Sequence, residues 1–509
     1  MAVKIFSSAI LGFDPFLIEV EVDSSPGLPS FSIVGLGDKA VEESKERINS
    51  ALKNSDFKPP SNFPKKVTVN LAPADIKKQG SGYDLPIAIG FLISTSQIKN
   101  IDFSDKVLVG ELSLGGNLRS FNGILPIAIL AKKLNKILIL PKANQTEANI
   151  VKGLKFISAD NIQELIFKLE SNQELEVGDG ILNNIQDDFL SFDVDFGYIA
   201  GQEIQKRALE VAAAGGHNIF LFGPPGTGKS LLAKALISIL PSMTREEILE
   251  VTKIYSIAGF LSQECPLIIK RPFRAPHHSA SAVSLIGGGS NLMVGEISLS
   301  HRGILFLDEF PEFRRDVLES LRQPMEEGKI TIARVQGRAT FPSNFTLISA
   351  SNPCPCGFFN DPEKDCRCSP SQIAKYQRKL SGPIMDRIDI KINVPRISFD
   401  KLQEKKVAEE SSKIRERVEE ARQIQISRFK NKNIFSNSEM NIKDIEEFCS
   451  IDNVAKNILR EAMKKLYLSA RAYHKILKLS RTIADLEKTE IIKPNHISEA
   501  IEYQREIGY

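Results

Sequence analysis

The sequence lacks long apolar runs and is poor in cysteine. No apolar run approaches the roughly 18 residues that span a bilayer, and residues 1–13 lack the charged and apolar blocks of a signal peptide. We therefore expect a cytoplasmic protein with no membrane partner. Six cysteines are too few for a disulfide scaffold over 509 residues. The chain also lacks a strong charge imbalance: 66 basic and 63 acidic residues leave a formal net charge of +3, which neither requires nor excludes nucleic acid as a partner.

The chain is long enough for several domains of about 100–200 residues each. Residues 1–175 mix short apolar runs with helical stretches, which predicts an α+β domain. A polar, glycine- and asparagine-containing connector occupies residues 176–195. Strands then alternate with helices over residues 196–396, which predicts a parallel α/β core. Residues 397–509 are mostly helical in pattern and are expected to form a lid or bundle.

One segment of the predicted α/β core matches the phosphate-binding loop pattern G-x-x-x-x-G-K-[ST] at every constrained position. Its residues are Gly223, Pro224, Pro225, Gly226, Thr227, Gly228, Lys229 and Ser230. A short apolar run precedes the segment and a helical pattern follows it, which is the required order of strand, loop and helix. In such loops the backbone N–H groups surround a triphosphate. Lys229 is then expected to reach the β and γ phosphates, and Ser230 to ligate Mg²⁺.

A second pair of candidate residues ends the apolar run Ile304–Leu307. Such a run predicts a fully buried strand, and the end of a strand is where open α/β sheets bind ligands. Asp308 is expected to hold the Mg²⁺ shell, while Glu309 orients and polarises the attacking water. Adjacent acids after an apolar strand are common, but the complete loop upstream makes the pairing specific.

Three further positions fit the same chemistry. Asn352 ends a third predicted strand, where an amide can sense the γ phosphate. Arg387 lies on a turn and is suited to reach the γ phosphate of a neighbouring subunit. Arg471 lies at the start of a helix in the lid. Taken one at a time, each of the three could equally be an ordinary surface residue.

The ordered set of these motifs resembles a AAA+ ATPase, in which Arg387 matches the arginine finger and Arg471 the second sensor. Five segments narrow the resemblance to the YifB/ComM family of magnesium-chelatase-like bacterial proteins. They are Gly201-Gln-Glu, Ala213-Ala-Gly-Gly-His217-Asn, Arg271-Pro-Phe-Arg-Ala-Pro-His277-His278, Gly295-Glu-Ile-Ser-Leu and Leu321-Arg-Gln-Pro-Met-Glu. The resemblance implies ATP and Mg²⁺ as cofactors and a homo-hexameric ring in which Arg387 acts in trans.

The resemblance also places two elements near the pore of the ring. Residues 285–295 correspond to the helix-2 insert, and residues 330–340 to the pre-sensor hairpin. The second segment independently predicts a hairpin, because alternating apolar residues flank Gln336-Gly337. Lys329, Arg334 and Arg338 on it are candidate DNA phosphate contacts. The alternative is a solvated hairpin whose charges prevent aggregation.

Residues 1–175 resemble the Lon-type protease fold through Val109-Gly-Glu-Leu-Ser-Leu-Gly-Gly-Asn-Leu and Asn70-Leu-Ala-Pro-Ala-Asp. Proteolysis in that family needs a serine activated by a lysine. The matching positions are Gly82 and Leu125, so we expect no peptidase activity. Ser81 lies one position from the nucleophile, but a shift of alignment would not restore the lysine. A role in assembly or DNA contact is expected instead.

Four cysteines cluster in the segment after the third predicted strand, as two C-x-C pairs. Cys354, Cys356, Cys366 and Cys368 can surround one tetrahedral Zn²⁺, although C-x-C is tighter than the usual C-x-x-C spacing. Reduced free cysteines or a redox role are the alternatives.

The remaining cysteines and a histidine pair carry weaker signals. Cys265 and Cys449 are isolated, which predicts that both are buried. His277 and His278 are expected to be structural or part of a pore loop rather than a metal site.

The sequence therefore predicts an ATP-driven ring motor. The resemblance implies DNA branch migration or helicase activity during recombination of incoming DNA. One alternative is a chelatase-like motor that remodels a protein partner, although the chain carries no long acidic linker or integrin-type metal-binding domain. The other is a noncatalytic nucleotide switch, against which Glu309 and Arg387 argue.

Overall fold

The computed structural model describes residues 2–504 apart from 76, 77, 79, 172–174, 181–191, 263, 290–292, 335, 336, 381, 398–408, 431 and 433. The backbone alone is described at 333, 334 and 337. In that part of the chain, no helix is both long enough and apolar enough to cross a membrane.

The amino-terminal part is built on a mixed sheet. Its strands are β1 (Val3–Leu11), β2 (Asp14–Pro26), β3 (Ser30–Val34), β4 (Lys65–Ala72), β5 (Lys106–Leu108), β8 (Ile137–Pro141), β9 (Lys155–Ala159) and β10 (Glu176–Val177), with a separate small ribbon of β6 (Glu111–Leu112) and β7 (Leu118–Arg119). Among the described residues the order is β10-β9-β8-β5-β1-β2-β4-β3. The helices are α1 (Lys39–Asn54), α2 (Asp84–Ser94), α3 (Ile124–Lys133), α4 (Gln145–Asn149) and α5 (Ile162–Glu170). Because α2 is apolar on almost every face, it is buried nearly throughout, against β1 and β2.

The sheet of the first part extends beyond the boundary predicted from composition. Glu176–Val177 lies in the segment assigned above to the connector, yet it forms β10 and pairs antiparallel with β9. Glu176 also accepts hydrogen bonds from the backbone N–H and the hydroxyl of Ser158. A polar strand of two residues carries no apolar periodicity, which is why the composition did not indicate it.

The second part is a parallel α/β core. Its strands are β11 (Ile219–Phe222), β12 (Phe273–Arg274), β15 (Ile304–Leu307), β18 (Thr346–Ser351) and β19 (Ile390–Asn393), in the order β12-β15-β18-β11-β19. Every neighbouring pair in this sheet is parallel. The helices are α6 (Glu203–Gly215), α7 (Lys229–Ile239), α8 (Arg245–Ala258), α11 (Arg315–Ser320), α12 (Arg322–Glu327) and α13 (Pro370–Lys379). The predicted parallel α/β class is confirmed.

Two excursions leave this core. The first holds α9 (Ala282–Ile286), β13 (Gly287–Gly288), β14 (Met293–Val294) and α10 (Glu296–Leu299). The second is the antiparallel hairpin of β16 (Lys329–Arg334) and β17 (Gly337–Pro342). Gln336 of the predicted turn lies outside the described residues.

The carboxyl-terminal helices are α14 (Ser411–Arg428), α15 (Ile442–Phe448), α16 (Asn453–Lys465), α17 (Ala470–Leu486) and α18 (Pro494–Glu502). Helix α14 packs on α6 and α7, and α17 packs on α6. The apolar faces of these helices share one core with the parallel sheet, so Ile483 and Leu221 belong to the same buried cluster. Buried Asp485 of α17 forms ion pairs with Arg428 and with buried Arg481.

The two parts contact one another through α8. Gly123 and Leu125 donate backbone N–H groups to the carbonyl and hydroxyl oxygens of Ser256, and the Ser256 hydroxyl donates to buried Glu147 at 2.7 Å. The β1–β2 turn also lies against β17, since a Cβ on Gly12 would stand 3.0 Å from that of Ala339.

Candidate nucleotide site

The phosphate-binding loop, Asp308 and Asn352 converge because three neighbouring parallel strands end at one edge of the sheet. In sheet order these strands are β15, β18 and β11, and they lead into Asp308, Asn352 and Gly223 respectively. The register pairs Leu307 with Ser349 and Phe222 with Ser351, so the three strands end at nearly the same level. The carboxyl edge of the sheet is therefore the ligand edge of this fold.

The phosphate-binding loop between β11 and α7 has the shape that an anion needs. Gly226 and Gly228 have positive φ values of 78° and 88°, and an added Cβ at either would meet nothing within 4 Å. The loop is thus both restricted to glycine at these positions and open on its inner side. Thr227 closes it by donating its hydroxyl to the Pro224 carbonyl at 3.0 Å, and Gln202 donates to the Thr227 carbonyl at 2.8 Å.

Lys229 lies inside this loop with its ammonium group directed toward oxygen acceptors. Its Nζ donates to the carbonyls of Gly223 and Pro224 at 2.7 and 2.8 Å and to Asn352 Oδ1 at 3.0 Å. Burial lowers the pKa of Lys229 to about 8, against the opposing effect of the Asp308 charge. Negative phosphate oxygens at this position would stabilise the charged ammonium.

Ser230 and Asp308 supply an oxygen pair that suits Mg²⁺. The Ser230 hydroxyl donates to Asp308 Oδ2 at 2.7 Å, which joins the first turn of α7 to the end of β15. Hydroxyl and carboxylate oxygens are the hard ligands that Mg²⁺ binds, usually with several waters and phosphate oxygens completing the shell. The donor set therefore fits the cofactor predicted from the sequence.

Glu309 is held by a residue that the sequence did not assign to this site. His278 Nδ1 lies 3.0 Å from Glu309 Oε2, and the His278 ring also packs edge-on against Phe313. Glu309 itself has a positive φ of 50°. His278 reaches it because β12 is the neighbour of β15 in the sheet and the chain leaves β12 toward the same edge. The only feature of the sequence that could have indicated this contact is the position of the histidine pair, a few residues before the first excursion.

The two predicted arginines lie together, but not beside the phosphate-binding loop. Arg387 and Arg471 both donate to Glu326 Oε1, Arg471 at 2.8 Å. Arg387 precedes β19, and its carbonyl accepts from Asn218 Nδ2, which precedes β11. Both positions lie at the amino edge of the parallel sheet. Since Asn218 and Gly223 are separated along β11 by about 16 Å at the usual strand rise, Arg387 cannot reach its own subunit's loop.

The surroundings of Arg387 and Arg471 form a polar cavity of about 680 Å³ between the core and the carboxyl-terminal helices. Its lining carries eight cationic or imidazole side chains: Arg271, Arg302, Arg387, Arg422, Arg471, His474, Lys475 and Lys478. Arg387 is nearly buried, and within the described part of the chain its Nε has no hydrogen-bond partner. The lining also carries acidic side chains, and among them Glu326 contacts both Arg387 and Arg471.

The hairpin presents two of the three predicted DNA-contact residues to solvent. Ile330, Ile332, Ala339 and Phe341 are buried, so the alternate positions face outward. Lys329 and Arg338 are exposed at opposite ends of this outward face. The side chain of Arg334 lies outside the described residues.

The four clustered cysteines come together as the spacing predicted. Sγ of Cys354 lies 3.3 and 3.6 Å from those of Cys356 and Cys366, and all four sulfur atoms lie within 4.8 Å of one another. Tetrahedral Zn²⁺ with Zn–S bonds of about 2.3 Å requires S···S separations near 3.8 Å. The group therefore fits one metal ion. Its loop touches the phosphate-binding loop, since a Cβ on Gly357 would stand 2.6 Å from Pro225.

The two isolated cysteines differ in their exposure. Cys449 is buried, as predicted, and burial raises the pKa of its thiol to about 12. The prediction for Cys265 is wrong, because this residue is exposed in the polar loop after α8. An isolated cysteine is expected to be buried only where the residues around it show an apolar periodicity, and the segment around Cys265 has none.

Comparisons with known proteins cover nearly the whole chain. Three family models match the chain. The family described as 'Magnesium chelatase, subunit ChlI' matches residues 195–402, and the family described as 'Subunit ChlI of Mg-chelatase' matches residues 20–144. The family described as 'Magnesium chelatase, subunit ChlI C-terminal' matches residues 408–504. Competence protein ComM of Haemophilus influenzae is 41% identical over 98% of this chain and 97% of its own length. The protein YifB of Escherichia coli is 39% identical over 98% and 96%. A DNA replication licensing factor, mcm6 of Dictyostelium discoideum, is 23% identical over 36% of this chain and 18% of its own length.

Proposed function

This chain belongs to the YifB/ComM family of magnesium-chelatase-like proteins, and from that premise we propose that it is an ATP-hydrolysing hexameric ring motor that moves branched DNA during recombination. The ATPase part of the proposal rests on the family and on the convergence at the carboxyl edge of the parallel sheet. The DNA part rests on the names of two relatives, a competence protein and a DNA replication licensing factor. Within this proposal residues 1–175 act as a Lon-protease-like assembly domain without peptidase activity, and residues 397–509 as the lid.

Each site residue has one task in the proposed reaction. Lys229 and the loop N–H groups hold the phosphates, and Ser230 and Asp308 hold Mg²⁺, which neutralises phosphate charge. Glu309 releases His278 and orients a water molecule toward the γ phosphate. Asn352, already hydrogen-bonded to Lys229, senses that phosphate.

The second half of each site comes from the neighbouring subunit. Arg387 lies at the opposite edge of the sheet from its own loop, so its charge is useful only to a nucleotide held by another copy. Arg471 shares Glu326 with it and belongs to the same half-site. This placement is the single observation that favours a ring over an isolated switch, because head-to-tail contacts that close form rings.

The proposal is tested by ATP turnover of the purified protein with and without four-way DNA junctions. Glu309→Gln should retain ATP binding and lose about 10²–10⁴-fold in kcat, since the carboxylate no longer polarises water. Glu312→Gln, on the same exposed turn, is the matched control and should leave kcat unchanged. Junctions should stimulate the wild-type protein and be moved by it. Turnover that no DNA stimulates would reject the DNA part and favour a protein-remodelling motor.

We also propose that the four-cysteine cluster holds one structural Zn²⁺. Elemental analysis of protein purified without added metal should find one zinc per chain. Cys366→Ser should lose the metal and weaken ATP binding, because the cluster loop packs on Pro225 of the phosphate-binding loop. Cys265→Ser, at the exposed isolated cysteine, should keep both. Wild-type protein without stoichiometric zinc would contradict the proposal.

A further inference from the structure

The motif Ala213-Ala-Gly-Gly-His217-Asn218 supplies no residue to the phosphate-binding loop or the magnesium site, yet it lies between the two halves of the proposed catalytic machinery. It joins α6 to β11, at the amino edge of the parallel sheet. Gly216 caps α6 with a φ of 69°, in the left-handed region, which favours glycine there. A Cβ on Gly215 would stand 2.3 Å from His217 Nε2 and 2.6 Å from Thr482 Oγ1. Gly215 is therefore required by the close approach of these two side chains.

Asn218 uses all its polar groups to join three strands and a turn. Its side-chain Oδ1 accepts from the Leu347 N–H of β18 at 2.8 Å, and its Nδ2 donates to the Arg387 carbonyl at 3.2 Å. Its backbone N–H donates to Asp389 Oδ2 at 3.1 Å, and its carbonyl accepts from Asp389 and Ile390. The turn that carries Arg387 is therefore attached to the strand that carries the phosphate-binding loop.

His217 extends this connection to the lid helix. Its ring is fully buried, with Nε2 2.8 Å from Thr482 Oγ1 on α17 and Nδ1 3.6 Å from Asp389 Oδ2. Burial opposes ionisation of Asp389, but His217, Lys475 and Lys478 hold its pKa below the ordinary value. Asp389 thus remains a charged acceptor between the motif and the lid. Lys475 of the same helix donates to the Ile388 carbonyl at 2.6 Å.

We infer that His217 and Asn218 are positioning residues for Arg387, which set the place of this arginine in the neighbouring subunit's active site. The inference rests on the proposed function, because it needs Arg387 to act in trans. The contacts fix the backbone from which the guanidinium extends; the guanidinium itself is nearly buried and donates to the Pro383 carbonyl and to Glu326, and both contacts must break before it reaches phosphate. A misplacement of about 1 Å in a reacting group can cost on the order of 10²-fold in rate. Strand β11 then connects the nucleotide bound by one subunit to the Arg387 that the same subunit supplies to its neighbour.

Kinetics of Asn218→Asp test the first consequence. The substitution keeps the shape of the side chain but places a carboxylate oxygen against the Arg387 carbonyl and beside Asp389. We expect kcat to fall about 10- to 100-fold while KM for ATP stays within about two-fold, because the variant's own phosphate-binding loop is intact. Thr482→Val removes the hydroxyl partner of His217 with little change in side-chain volume. It should lower kcat by a smaller factor than Asn218→Asp does.

Mixed assemblies distinguish positioning from a general loss of structure. Lys229→Ala subunits lack a working loop but supply an intact Arg387, so co-assembly with Asn218→Asp subunits should restore turnover several-fold above the sum of the separate proteins. Arg387→Ala mixed with Lys229→Ala is the reference. If only the reference mixture recovers, Asn218 does not act through Arg387 and the inference is wrong. If neither mixture recovers, the trans arrangement of the proposed function fails, and the inference fails with it.

Discussion

At the scale of single residues, the contact between His278 and Glu309 has the clearest consequence for catalysis. The imidazole lies 3.0 Å from one carboxylate oxygen of Glu309 and so occupies part of the space from which that oxygen would contact a water molecule. His278 also leads within four residues into α9 of the first excursion. We therefore expect that movement of that excursion would alter this contact and couple hydrolysis to whatever the excursion binds.

We predict that His278→Ala raises ATP turnover in the absence of DNA by a few-fold and reduces the stimulation by DNA. The physical reason is that the Glu309 carboxylate loses the imidazole contact that restrains it. His277→Ala is the control, because Nδ1 of His277 contacts Ser279 and not Glu309. Equal effects of the two substitutions on basal turnover would contradict the prediction.

Much of the candidate site was predictable at this scale, for a geometric reason. Lys229, Asp308 and Asn352 each follow an apolar run, and the carboxyl ends of parallel strands share one edge, so order along the chain indicated proximity. His278 follows a strand of only two residues, which has no readable periodicity. The shared partner of Arg387 and Arg471, Glu326, lies on a separate helix and could be located only through tertiary structure.

At the scale of elements, the hairpin of β16 and β17 separates an apolar from a cationic face. Arg338 faces outward near the turn, whereas Lys329 faces outward at the base. If this face follows the DNA backbone, the residue near the tip makes the closer phosphate contact. A solvated hairpin would place neither residue near DNA.

Arg338→Gln is therefore expected to reduce the magnitude of the slope of log affinity against log salt concentration by about 0.7–0.9. This is the change expected when one phosphate contact, with its released counterion, is lost. Affinity for single-stranded and branched DNA would be measured by fluorescence anisotropy at several salt concentrations. Lys329→Gln should change the slope less. An unchanged slope for Arg338→Gln would identify the hairpin as a solvated edge.

The apolar strands of the core could be predicted from the sequence, whereas the short polar strands could not. Short apolar runs such as Ile219–Phe222 and Ile304–Leu307 form strands that are buried on both faces of the parallel sheet, as is usual for such sheets. The short polar strand β10 is held only by its pairing with β9 and by the hydrogen bonds of Glu176 to Ser158. Neither contact leaves an apolar pattern in the sequence, so the strand was not predicted.

At the scale of the whole molecule, the amino-terminal part is attached to the ATPase core through a buried polar contact. Glu147 accepts from the Ser256 hydroxyl, from Asn144 Nδ2 and from the Leu125 N–H. Burial raises the pKa of this carboxyl, against the effect of those hydrogen bonds. The Leu125 N–H thus takes part in the contact between the two parts.

Glu147→Gln is expected to loosen this docking by about 1–3 kcal/mol, because all three partners are donors and the amide N–H₂ would face one of them. Hydrogen exchange of the Gly123 N–H, which donates to the Ser256 carbonyl, measures the loss. Glu164→Gln changes a carboxylate on α5 that does not contact α8 and serves as the control. The same protection of Gly123 in both variants would mean that apolar packing alone holds the two parts together.

The placement of Arg387 at the edge opposite to its own phosphate-binding loop also determines how activity depends on abundance. If Arg387 acts in trans as proposed, a lone subunit carries half of two different sites and completes neither. Under the proposed mechanism, ATP consumption per molecule rises with protein concentration until assembly is complete. A cell that keeps few copies thus holds the motor idle without any inhibitor, and raising expression alone switches it on.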